Sequence, residues 1–272
     1  MFKIGCDPEI IPVDNNGNPR SAIGKIGGEK KHPRPVLHGA VQEDNVNAEF
    51  NIEPCTNFEE WEQRITGVMS DLAAIMREHK LYISTLASAI FNREELTGKA
   101  LIAGCDPDYD AWEISDNIPP YLGDNRLRSA GGHIHVSTPL FGGYRESDDN
   151  PFIPNVETEN PMEGIFLVRT MDRFLGVPSV LMDKDTERKK LYGKAGCFRP
   201  KPFGVEYRTL SNFWIFDSEL RRWAYNQTQK AVSQFTNPEW REKLDLEHPL
   251  GSAIVKCINT NNREMAQEII NE

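Results

Sequence analysis

Apolar and polar residues alternate from the first positions of the chain. Phe2, Ile4, Cys6, Pro8 and Ile10 interleave with Lys3, Gly5, Asp7 and Glu9. Alternate side chains of a strand share a face, so this spacing predicts one apolar face and one bearing two carboxylates. Residues 14–34 are rich in Gly, Asn and Lys and read as a long loop. Alternation returns over 41–53, where Val46, Ala48, Phe50 and Ile52 oppose Glu43, Asn45, Asn47, Glu49, Asn51 and Glu53, predicting one half-buried strand. Thr56 or Asn57 then caps a helix whose stripe is Phe58, Trp61, Ile65, Val68, Met69, Leu72, Ile75 and Met76.

Residues 81–91 read as a buried strand, and 131–137 (GGHIHVS) as a strand after a glycine turn. The polar stretch 142–160 reads as a loop, followed by a helix presenting Ile165, Val168, Met171, Phe174 and Leu175 until Pro178 stops or kinks it. Residues 203–210 alternate again, Val205 and Tyr207 opposing Glu206 and Arg208. Helices around 218–235, 237–245 and 251–271 close the chain. This order predicts an α+β fold with a mostly antiparallel sheet and helices on one face. No linker stands out, so residues 1–272 read as a single domain with C-terminal helices from about 218. GCDPE at 5–9 has an echo, GCDPD at 104–108, but the flanks differ and the second copy reads as a turn-rich loop.

Composition narrows the classes. The 39% apolar content fits a globular chain, and no apolar run approaches the ~18 residues of a membrane span. No signal-peptide pattern precedes the first strand. The five cysteines are scattered without a CxxC pair, which speaks against a thiolate zinc site and for a reducing cytoplasm. A net charge of −10 argues against bulk nucleic-acid binding and suits solubility or a cation site. There is no GxxxxGK[ST] loop, no GxGxxG after a strand and no GxSxG elbow. The loop with Gly24, Gly27, Gly28, Lys25, Lys30 and Lys31 is open to a phosphate contact or to solvation alone.

The candidate chemistry sits on the polar strand faces. Asp7 and Glu9, then Glu43, Glu49 and Glu53, then His133 and His135, then Glu206 and Arg208, each sit so that one strand can aim them at a shared surface. Carboxylates with an imidazole suit hard divalent cations. An arginine beside the last glutamate can grip a phosphate oxygen with its fork. Each piece alone also reads as a solvated edge, a core histidine or a surface ion pair.

The ordered set GCDPE, QEDNVNAEFNIEP, GGHIHVS and ERKKLYGKAGCFRPKPFGVEYRTLSNFW resembles the phage carboxylate–amine ligase (amidoligase) family, from about residue 3 to about residue 225. The resemblance implies a glutamine-synthetase-like fold and an amide-forming reaction that uses ATP and Mg²⁺ (or Mn²⁺) through an acyl phosphate. It implies Asp7, Glu9, Glu43, Glu49, His133 and Glu206 as metal ligands. It implies Arg188, Arg208 and Glu49 as catalytic, and Lys31, Lys194, Arg199 and Arg208 as nucleotide contacts. Small-molecule or peptide carboxylates and amines would be the substrates. A metal-dependent hydrolase on the same acids, or a ligase-derived binding protein without catalysis, are the competing readings.

Overall fold

The computed structural model describes residues 2–96, 98–101, 108–117, 125–137, 161–201 and 203–272. The polar stretch 142–160 and most of the second GCDPD motif lie outside these residues. In chain order the strands are β1 (Lys3–Cys6), β2 (Glu9–Ile10), β3 (Pro12–Val13), β4 (Arg34–Val36), β5 (Gly39–Asp44), β6 (Asn47–Ile52), β7 (Tyr82–Ile83), β8 (Ser88–Ile90), β9 (Asp108–Asp110), β10 (Ser115–Asn117), β11 (Leu127–Ser129), β12 (Ile134–Ser137), β13 (Cys197–Lys201) and β14 (Gly204–Tyr207). The helices are α1 (Phe58–Glu78), α2 (Pro161–Met171), α3 (Val177–Met182), α4 (Ser218–Gln234), α5 (Pro238–Lys243), α6 (Pro249–Thr260) and α7 (Arg263–Asn271). The fold is α+β, and among the described residues every strand pair is antiparallel. Among the described residues, no helix is long and apolar enough to cross a membrane.

Two sheets matter for function. One runs β1-β12-β14-β13-β9-β10 and the other β2-β6-β5-β4. The first predicted strand is therefore broken. Pro8 has no N–H to continue a ladder, and the chain changes sheets there. Asp7 N–H donates to His133 O (3.3 Å), Glu9 N–H to Gly131 O (2.8 Å) and Phe50 N–H to Pro8 O (3.2 Å), which fixes the crossing from both sides.

The single strand expected over 41–53 is a hairpin. Asn45 takes φ 55° at its turn, a conformation asparagine tolerates. Opposed residues share a face, so the register Gln42↔Glu49 and Asp44↔Asn47 makes a polar face, while Val41↔Phe50 and Glu43↔Ala48 share the other. Residues 81–91 form two short strands in two minor sheets rather than one buried strand, and Ile90 is 63% exposed. Pro178 does not end its helix. A π turn at Asp172–Gly176 joins α2 to α3, and Pro178 lies in the first turn of α3, where a missing N–H is harmless. The last predicted helix is two, divided at Asn261 with φ 52°.

The apolar faces of both sheets turn toward α1, α2 and α4. Ile4, Ile134, Val136, Val205, Tyr207, Val41 and Phe50 pack with Trp61, Ile65, Leu72, Val168, Met171 and Ala224 in one cluster. Asn57 caps α1 by accepting from Glu60 N–H at 2.9 Å, and Trp61 stacks on Trp214 with centroids 5.6 Å apart. A second cluster lies under α3, α6 and α7. With helices on the apolar side, the polar side of each sheet is left for the site.

Ile65 is fully buried in the main cluster. Ile65→Ala should cost about 2–5 kcal/mol, and Thr66→Ala on the exposed side of the same turn about 0.5 kcal/mol or less. Paired urea melts of the two variants check this.

Candidate active site

Two polar rows meet where β1 passes into β2. Across the larger sheet the register aligns Gly5, His135, Glu206 and Arg199. Across the smaller it aligns Glu9, Glu49 and Gln42, with Asp44 and Asn47 on the same face. Asp7 and Glu9 thus leave the crossing toward different partners. Asp7, His133 and Glu206 bring a ligand atom each within 4.8 Å of one another, and so do Glu9, Asp44 and Glu49. His133 stands between the groups. Its Nδ1 lies 3.5 Å from Asp7 and 3.7 Å from Glu206, and its Nε2 lies 4.0 Å from Glu9.

The glycines of GGH are explained by this packing. A Cβ on Gly131 would sit 2.0 Å from His133 Nε2, and one on Gly132 would sit 2.2 Å from Ser211 O. Gly131 N–H also donates to Glu9 Oε2 at 2.9 Å, joined there by Asn47 Nδ2 at 3.1 Å. Gln42 Nε2 donates to Glu49 Oε1 at 2.9 Å. Asn212 Nδ2 holds the backbone of Glu9 through its carbonyl at 2.9 Å.

Electrostatics separate the two groups. Burial pushes Glu49 well above the usual carboxylate range, and the neighbouring Asp7, Asp44 and Glu9 push it further. Burial and Asp44 raise Glu9 to about 7, and burial also raises Asp44. In the other group, burial opposes ionisation of Asp7, but His135 and His133 outweigh it and hold Asp7 well below its ordinary value. Glu206 is held at about 2, because Arg208 and both imidazoles outweigh burial and Asp7. Burial and then Arg208 lower His133 to about 4, so its ring is neutral at pH 7. Ionisation is therefore favoured in the first group and resisted in the second, where a bound cation would oppose the upward shifts.

The donor set fits a hard divalent cation. It is oxygen-rich with one neutral imidazole per pair of carboxylates in the first group. Asp7 Oδ1 is buried without an aligned hydrogen-bond donor, although His135 Nε2 lies 2.9 Å away. Such an oxygen is costly unless something positive meets it.

Cations flank Glu206. Lys201 Nζ lies 2.6 Å from Oε2, Arg199 Nη1 lies 3.2 Å from Oε1, and Arg208 Nη1 contacts Oε1 directly. Arg208 Nε lies 2.8 Å from Asp108 Oδ1. Lys201, Asp108 and Asp44 were not singled out by the sequence reading. Lys201 stands two residues from Arg199, the signal for a shared strand face. Asp44 becomes visible once Asn45 is read as a turn.

Five residues singled out by sequence take other places. Glu43 is on the apolar face of its hairpin, so it does not join the metal group. Its carboxylate accepts from the N–H groups of Gly24, Lys25, Ile26 and Gly27 at 2.9–3.2 Å. Arg188 is buried, donating to Thr209 O and Arg208 O at 3.0 Å each, and its charge also acts on Glu9. A Cβ on Gly193 would overlap its Nη1 at 1.6 Å. Glu53, Lys31 and Lys194 are exposed; Lys30, beside Lys31, and Arg208 are cations whose charge acts on Asp44.

An antiparallel α+β scaffold that pools carboxylates, one histidine and an arginine fork at a sheet junction defines a class with a charged, cation-ready site. Residues 155–249 match the family described as Phage phiEco32-like COOH.NH2 ligase-type 2. The ligase family read from the motifs is thus the family whose model the chain matches. The chain also resembles a solved structure described as a novel glutamine synthase homolog, with 12% identity and a TM-score of 0.40 over 99% of this chain and 67% of that one; so loose a likeness carries no argument. A search of curated proteins found no match.

Glu9 supplies a pH test. Its folded value near 7 lies above the ~4.3 of an unfolded glutamate. The native state then binds the extra proton, and Glu9's contribution to stability falls as pH rises from about 4.3 to about 7. His133, lowered to about 4, acts oppositely, costing stability as pH falls from about 6.5 toward about 4. Mg²⁺ should therefore raise the melting temperature more at pH 8 than at pH 5.5, where His133 is already neutral and Glu9 still protonated. Glu9→Gln should flatten that difference, read by thermal melts at both pH values.

Proposed function

We propose that the protein is an ATP- and divalent-cation-dependent ligase that joins a carboxylate to an amine through an acyl phosphate. The match of residues 155–249 to a carboxylate–amine ligase family supports the reaction class. The convergence of both acid groups and Arg208 on the β1–β2 crossing is the observation that carries it.

Asp7, His133 and Glu206 would hold one cation, and Glu9, Asp44 and Glu49 a second. Bound there, such ions neutralise phosphate oxygens and fix their orientation. The chain's own cations do the rest. Arg208 offers a planar, always charged fork, oriented by Asp108 at one nitrogen and Glu206 at another. Arg199 and Lys201 face the same glutamate and add positive potential where a transferred phosphoryl group gathers negative charge. The substrate carboxylate attacks the γ-phosphorus and ADP departs. The amine, after losing a proton, attacks the acyl carbon, and phosphate leaves with one of the original carboxylate oxygens.

The substrates are a small-molecule or peptide carboxylate and an amine, and the cytoplasm is the proposed compartment.

The products decide the mechanism. With an ¹⁸O-labelled carboxylate, ADP and inorganic phosphate should form, with one label in the phosphate. AMP and pyrophosphate, with label in AMP, would overturn γ-attack. Arg208→Lys keeps the charge but loses the fork, and should slow turnover about 100-fold; full activity in that variant would equally count against the mechanism.

A further inference from the structure

The segment Tyr207–Thr209 carries Arg208 to the site. Side chains beneath the strand grip it. Asp172, fully buried, accepts from Tyr207 Oη at 2.7 Å and lies 3.1 Å from Thr209 Oγ1, both through Oδ1. Its Oδ2 accepts from Trp112 Nε1 at 2.7 Å and Gly196 N–H at 2.6 Å. Arg188 holds the carbonyls of Arg208 and Thr209 from the same side. The residues before and after Arg208 are thus tied to one carboxylate, and its own carbonyl to a buried guanidinium.

This carboxylate is delivered by an irregularity. Asp172 opens the π turn between α2 and α3. Such single wide turns concentrate at functional positions. The close approach also requires Gly176, since a Cβ there would lie 2.9 Å from Tyr207 Oη and 3.1 Å from Asp172 Oδ1. A buried carboxylate with neutral donors on both oxygens and, among the described residues, no paired cation is a costly choice where hydrophobic packing would serve stability.

We propose that Asp172 is a positioning residue for the phosphate-binding arginine, acting through Tyr207 and Thr209 to fix where the Arg208 fork stands. The proposal rests on the nucleotide reading given above. Asp172 touches no substrate. Acting through Arg208 as proposed, Asp172 must be coupled to it.

A double-mutant cycle on the whole chain tests this, with titration calorimetry of Mg²⁺ and the non-hydrolysable analogue AMP-PNP, well below each variant's melting temperature. Arg208→Ala should weaken binding about tenfold or more. Asp172→Ala should also weaken it, and the double variant should bind no worse than Arg208→Ala alone. Asp172→Asn should restore affinity to within about twofold, because its amide oxygen still serves Trp112 and Gly196 while its NH₂ reaches Tyr207 and Thr209. A merely structural Asp172 would lower the melting temperature and leave affinity unchanged, which would overturn the proposal, as would fully additive losses. If Asp172→Ala does not fold, Thr209→Val carries the test: weakened binding supports positioning, and wild-type affinity overturns it. Unchanged affinity in Arg208→Ala would instead overturn the nucleotide reading itself, and this proposal with it.

Discussion

Like charges brought together out of water are the constraint on which this structure turns. Asp7, Glu9, Asp44, Glu49 and Glu206 crowd one sheet junction, and a protein has few ways to tolerate that. It can leave carboxyls protonated, neutralise them with its own cations, or supply an external positive charge. The first two are visible. Burial and neighbouring carboxylates shift Glu9, Asp44 and Glu49 toward the protonated form. Glu206 is surrounded by Arg199, Lys201 and Arg208. Asp7 is left with an oxygen that no aligned donor reaches. Helices gather on the opposite faces because the apolar side of each sheet must be buried, and the charged side must not be.

The scaffold serves this junction through small omissions. Pro8 ends one ladder and starts another. Gly131 leaves room for an imidazole, Gly193 for a guanidinium and Gly176 for a phenol hydroxyl. The same carboxylate chemistry appears in a different use at Glu43, where four backbone N–H groups anchor the 24–27 loop to the strand next to Asp44.

Much of this was legible in the chain. Period-two alternation placed Glu206 and Arg208 on one face and Val205 and Tyr207 on the other, and that holds because β14 is regular and central. The α1 stripe was legible for the same reason, since a long amphipathic helix repeats its signal. Alternation failed where turns imitate strands. Over 41–53 it counted Asn45 and Val46 as strand, which moved Glu43 onto the wrong face and hid Asp44. It also ran through Pro8, so the change of sheet went unseen. Arg188 was singled out by its charge and family resemblance. Its burial under Arg208 depends on Gly193 and on packing that no local pattern encodes. Asp172 gave no signal, because a buried carboxylate within a helical apolar stripe reads as a polar interruption.

The register of β12 has a consequence for how the site comes into being. β12 pairs on one side with β1 and on the other with β14, so residues near positions 7, 133 and 206 must all be in place before the group of Asp7, His133 and Glu206 exists. Contacts so distant in sequence form slowly. During synthesis the early hairpin and α1 can fold while the imidazole and the last glutamate are still unmade. The half-built chain can already bring Glu9, Asp44 and Glu49 together through β2, β5 and β6. The group of Asp7, His133 and Glu206 arrives only when the strand carrying Glu206 closes the sheet.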